Sequence, residues 1–193
     1  MPKDLTSATG RRSFLAGAAA FGGLLVAARG HAAAAMPAHD PWENRAPDNG
    51  DRIRLGALAR EMDRALIGLP LEPEMMQDHL RLRIPAAMLF VNGKDRLSED
   101  GVALLTLIAP AIIRQKRLRA EIVAHHGQTK SDYQAWMFTR RRAQAVRAAL
   151  MSRGADGSRL KETGLGAKFP LVPGTDAAAQ AANRRIEILF RPL

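Results

Sequence analysis

The sequence predicts an α/β (α+β) fold, a two-layer sandwich whose mixed sheet runs β-α-β-α-β-(short α)-β along the chain. Two observations predict it. Leu80–Ile84, Arg119–His125, Arg159–Thr163 and Arg185–Arg191 are short runs with the apolar/polar alternation or β-rich composition of half-buried strands. Between them lie segments whose apolar residues recur at helical spacing. Helices between strands require crossovers, so the sheet should be mixed and covered mainly on one face.

The elements follow in order. Residues 1–35 read as an export signal: a polar start, then Arg11-Arg12-Ser13-Phe14-Leu15, then an uncharged Gly/Ala/Leu run and small residues at Ala32 to Ala35. The run is shorter than the ~20 apolar residues of a spanning helix. Arg11 and Arg12 followed by Phe-Leu resemble the twin-arginine signal, which exports folded proteins. Residues 36–51, rich in Pro, Asn, Asp and Gly, read as a linker. In residues 52–79, Ile53, Leu55, Leu58, Met62, Leu66 and Ile67 suggest a short amphipathic helix and a connection. That helix either packs on its own domain or serves as a partner-binding arm.

The domain proper is then expected at residues 80–193. Pro85 ends the first strand or places it at an edge. Phe90 to Gly93 is turn-prone, and Ser98 is a candidate N-cap with Glu99 and Asp100 in the first turn. The following helix should bury Val102, Leu105, Ile108, Ala109 and Ile112. Pro110 inside it should kink it, at about 3 kcal/mol if nothing compensates. Residues 164–170 hold only two of the glycines of a dinucleotide loop and lead into proline, so a turn is the better reading.

The central helix carries the most informative residue. On a wheel of about 100° per residue, Trp136, Phe138, Thr139, Ala143, Val146, Ala149 and Leu150 share a side, and Arg142 falls among them. A guanidinium there stays charged and needs acceptors. It is either an intramolecular ion pair at the sheet edge or an anion-binding arginine at the mouth of a pocket.

Composition narrows the function classes. With no cysteine there is neither a disulfide framework nor a thiolate metal site. The net charge of +10 favours polyanionic partners without choosing among them. His125 and His126, adjacent on a strand, point to opposite faces and suit no shared metal site. Arg140-Arg141-Arg142 has little aromatic company for nucleic acid. No nucleophile–base pair is visible, so no enzyme, metal, cofactor or nucleic-acid partner is expected, nor a transmembrane helix in the mature chain.

Three motifs, in order, resemble the OmpA C-terminal domain. Residues 90–105 (FVNGKDRLSEDGVALL) look like its opening, and 138–146 (FTRRRAQAV) is similar to its Leu-Ser-x-x-Arg-Ala-x-x-Val helix. Thr163-Gly164-Leu165-Gly166 to Pro170, then Asn183-Arg184-Arg185-Ile186-Glu187-Ile188, match its ending. The resemblance implies a non-enzymatic envelope protein that associates with peptidoglycan, gripping diaminopimelate of the stem peptide between an aspartate and the helix arginine. Opposite charges at fixed separation suit charge-assisted hydrogen bonds. Arg142 falls on that arginine, with Thr139, Asn183 and Arg184 on neighbouring motif positions. The aspartate does not carry over. The usual spacing puts Gly127 there, a shifted alignment gives Lys130, and Asp132 substitutes only if the loop is rearranged. The alternative is an OmpA-like fold without wall binding, acting on periplasmic protein partners.

Overall fold

A computed structural model describes residues 45–193. The export segment, with Arg11 and Arg12, and residues 36–44 of the linker lie outside the described residues.

Eleven elements are present among them. They are α1 (Asn49–Ala65), β1 (Pro73–Met75), β2 (Leu80–Pro85), α2 (Ala86–Leu89), α3 (Glu99–Arg114), β3 (Leu118–Ala124), α4 (Asp132–Met151), a 3₁₀ turn (Gly157–Arg159), β4 (Leu160–Gly164), α5 (Ala177–Asn183) and β5 (Arg185–Pro192). The sheet order is β1-β2-β5-β3-β4. Only β3–β4 is parallel, as the crossover through α4 requires, and the other pairs are antiparallel. The mixed sheet expected from the sequence is therefore present, with one strand more.

Register explains the single covered face. Leu80, Phe190, Ala120 and Leu160 form one row across the sheet, Leu82, Ile188 and Ile122 a second, and Ile84, Ile186 and Ala124 a third. These residues are buried in one core with Leu55, Leu58 and Met62 of α1, Leu105 and Ile108 of α3, and Val146 and Leu150 of α4. The other face carries charge. Glu74 pairs with Arg81 at 2.5 Å and Arg83 at 3.3 Å, and Arg83 reaches Glu187 at 3.5 Å.

The segment 49–75 differs from the sequence reading. Its helix begins at Asn49, where Asp48 and Asp51 form a capping box, and its buried residues belong to the same core as the rest. Ile53 and Ile67, counted on its apolar face, are 70% and 80% exposed. β1 adds a fifth strand beside residues 80–82 of β2, and Pro85 ends β2 beyond the reach of β1, paired only on the β5 side.

Ser98 caps α3 by accepting from the Gly101 amide at 3.0 Å. A Cβ on Gly101 would overlap the Leu89 carbonyl, so glycine is what allows α2 and α3 to meet so closely. Val102, expected in the core, is 40% exposed. Pro110 lies on the exposed side of α3, and the helix continues to Arg114, which pairs with Glu61 of α1.

Candidate functional site

β2 and β3 end, and β5 begins, at one end of the sheet. A cavity of about 360 Å³ opens there, walled by α2, the loop after it, the residues beyond β3, α4 and the α5–β5 junction. Its polar lining is Arg142, Arg184, His126 and Asn92; the rest includes Phe90, Phe138 and alanines 86, 87 and 181.

Arg142 dominates this cavity. It is only 4% exposed. Its Nε and Nη2 donate to the Lys94 carbonyl at 3.0 and 2.6 Å, while Nη1 is buried without a hydrogen-bond partner. The rings of Phe90 and Phe138 lie 4.6 and 4.4 Å from the guanidinium carbon, a cation–π arrangement. Phe138 is four residues before Arg142, the spacing at which helical side chains meet. Burial, then repulsion from Arg184, pushes the Arg142 pKa down to about 10, against a smaller opposing pull from Asp95. It remains charged at neutral pH. Its hydrogen bonds go to a carbonyl and not to an intramolecular carboxylate, and Arg141 is the one that pairs with Asp95, at 2.6 Å.

His126 completes one wall. Its ring stands edge-on to Phe138 at 5.6 Å, with Nδ1 2.8 Å from the Gly127 carbonyl. An imidazole N–H at Nδ1 would make that bond and leave Nε2 as an acceptor. His125 is separate and 4% exposed, its two ring nitrogens lacking hydrogen-bond partners. Burial, then Arg185, depresses its pKa to about 4, with Glu187 opposing. The 3.8 Å approach of Glu187 is therefore not an ion pair at neutral pH.

The structure brings Arg142 and Arg184 to one cavity and leaves the other expected site residues elsewhere. Thr139 accepts from the Gly166 amide at 3.0 Å and lies 2.9 Å from the carbonyls of Ala135 and Trp136, pinning the turn after β4 to α4. Asn183 accepts from the amides of Leu171 and Val172 and donates to the Val172 carbonyl, fastening a loop. Asp132 is exposed in the first turn of α4, about 15 Å along the helix from Arg142 by its rise. It lines a separate hollow with Trp136 and Lys168.

Gly127, where the aspartate of the resemblance would stand, is buried against Gln180, and a Cβ there would overlap the Gln180 side-chain oxygen. Gln180 in turn donates to the Gln128 carbonyl at 3.3 Å. Neither Gln180 nor the Lys94 carbonyl was legible from local sequence. Among the described residues no group of His, Cys, Asp or Glu could hold a metal ion, and no helix is long and apolar enough to cross a membrane.

Fold and cavity together define a two-layer α+β domain with a cationic hollow at one sheet end. Residues 89–184 match the OmpA family, and the chain carries a domain of that family. The Escherichia coli (strain K12) protein named probable lipoprotein YiaD is 28% identical over 116 residues, 60% of this chain and 53% of YiaD. The chain thus spans about half of that relative's length. A MotB-like protein from Desulfovibrio vulgaris shares the fold with TM-score 0.65 and 21% identity, over 74% of this chain and 94% of its own. The cell wall anchor of the T6SS from Pseudomonas aeruginosa does so with TM-score 0.60 and 23% identity, over 70% and 97%. At these identities the likeness is one of fold.

Proposed function

We propose that this is an exported, non-enzymatic protein of the bacterial envelope. Its OmpA-family domain associates with peptidoglycan by taking a carboxylate of the stem peptide, the diaminopimelate-bearing strand, at Arg142. The observation that carries this reading is the buried guanidinium. Arg142 lines a solvent-connected cavity, is charged at neutral pH, and keeps one nitrogen without a partner. An uncompensated buried charge is costly, and an incoming carboxylate relieves it through a charge-assisted hydrogen bond. Arg184 supplies a second positive charge. The family domain and the fold shared with a cell wall anchor support the same reading.

A second reading, an OmpA-like module that meets periplasmic proteins instead of the wall, is favoured by Gly127 at the aspartate's position. Co-sedimentation with purified sacculi separates the two. Wall binding through the cavity predicts pelleting that persists at roughly 0.5 M salt, where exposed charges are screened, and that is lost in Arg142→Ala. Pelleting that is absent, or indifferent to Arg142→Ala, favours the second reading.

A further inference from the structure

The residues lining the cavity include two guanidiniums and an imidazole but no carboxylate. The acid that bears electrostatically on Arg142, Asp95, is occupied by Arg141 at 2.6 Å, which holds its carboxyl below the ordinary aspartate range. Gly127, next to the lining residue His126, offers no side chain, and Gln180 fills the space one would need. A carboxylate entering the cavity meets the Arg142 guanidinium, whose Nη1 has no hydrogen-bond partner, and a second cation at Arg184. An ammonium entering beside it meets no counter-charge and two like charges, which disfavours it. The wall around the guanidinium is apolar and shallow: alanines 86, 87 and 181 and the rings of Phe90 and Phe138. Small hydrocarbon fits there.

We infer that the cavity selects a carboxylate borne on a small apolar residue whose amino group is acylated, the C-terminal end of a peptide, over any zwitterionic amino-acid end. The inference deepens the wall-binding reading and rests on it for the carboxylate's source, the free carboxyl terminus of a stem peptide. The selectivity itself follows from the lining alone. Arg142 is the anchoring residue, Arg184 the second cation, and the absent carboxylate the specificity determinant.

The test uses the purified full chain at fixed ionic strength, titrated by amide NMR shifts with four probes: N-acetyl-alanine, alanine, diaminopimelate and sulfate. The expected order places N-acetyl-alanine about tenfold tighter than alanine or diaminopimelate, a gap of 1.4 kcal/mol, with shifts centred on Asn92, His126 and Phe138. Arg184→Ala, at a half-exposed position that the fold tolerates, should weaken N-acetyl-alanine severalfold while leaving the spectrum folded. Equal or tighter binding of alanine or diaminopimelate overturns the inference, as does sulfate binding as tightly as N-acetyl-alanine, or no shift with any probe. Sacculus pelleting distinguishes the two failures. Pelleting without probe selectivity sinks the inference and spares wall binding; selectivity without pelleting does the reverse.

Discussion

The side-chain oxygen of Gln180 occupies the position into which a Cβ on Gly127 would project, so α5 packs against the chain beside His126 only because residue 127 is glycine. Gly127 is not among the residues with positive φ, so the constraint is spatial and not one of backbone strain. Gly127→Asp alone should cost about 1–3 kcal/mol, the usual penalty of overpacking. Adding Gln180→Ala should return much of it. Urea unfolding of the two variants checks this, and a double variant no more stable than the single would refute it. The double variant should also raise the affinity for diaminopimelate relative to N-acetyl-alanine.

On the proposed reading, Arg142 serves binding at a cost in stability. Replacing it with methionine, similar in reach and apolar, keeps contact with Phe90 and Phe138 while removing a buried charge. Arg142→Met should leave the urea midpoint unchanged or move it up by the equivalent of about 0.5–2 kcal/mol, and should abolish probe binding. A variant that loses more than 2 kcal/mol would make the residue structural.

His125 predicts a specific acid sensitivity. Its folded pKa of about 4 lies below the ordinary histidine value of 6.5, through burial first and Arg185 second. The unfolded chain therefore binds the extra proton between these values, and stability falls as pH drops from about 6.5 to 4, levelling below that. The full loss amounts to up to about 3 kcal/mol. Glu187, where burial pushes the carboxyl up but Arg185 prevails and holds it low, adds its own loss of stability from about the ordinary glutamate value of 4.5 downward, overlapping the acid end of the His125 window. Thermal melts across pH 7 to 4 should show the slope, and His125→Phe should flatten it. A slope unchanged in that variant would assign it to other groups.

Thr139 looks like a ligand residue in the motif but behaves as a bracket. Thr139→Val keeps the volume and removes the acceptor for the buried Gly166 amide. The expected loss is about 1–3 kcal/mol, with probe affinity within twofold of the parent. Denaturant unfolding alongside NMR titration measures both.

The helix at residues 49–65 should be inseparable from the domain. Leu58 is fully buried in the shared core, so Leu58→Ala should cost about 2–5 kcal/mol in a single cooperative transition. A chain starting at residue 80 loses Leu55, Leu58, Met62, Leu66 and Leu71 from that core and should not fold to the native circular-dichroism spectrum.

How much the sequence disclosed depended on length and period. β2, β3, β5 and α3 declared themselves because Leu80, Leu82 and Ile84, or Ile186, Ile188 and Phe190, repeat at a fixed interval. β1 has three residues and α2 four, too few to show any period. The start of α1 was signalled by Asp48 and Asp51, whose mutual capping lay inside what read as a linker. Arg142 stood out because a charge at an apolar position is a local contradiction. What resolves it, the Lys94 carbonyl and the Phe90 ring, lies about fifty residues away, where only the fold decides proximity. The fates of Thr139 and Asn183 were hidden for the same reason: their partners are backbone groups in loops.

β1 also bears on how copies of this protein behave when crowded. It is a three-residue border that opens with proline, and it leaves a newcomer almost no ladder of free amides on which to grow. The opposite border, β4, is five residues long and carries Lys161 and Glu162. A sheet bounded in this way resists templating another strand, so concentrated solutions should stay free of fibres even where the core sequences themselves are strongly β-forming.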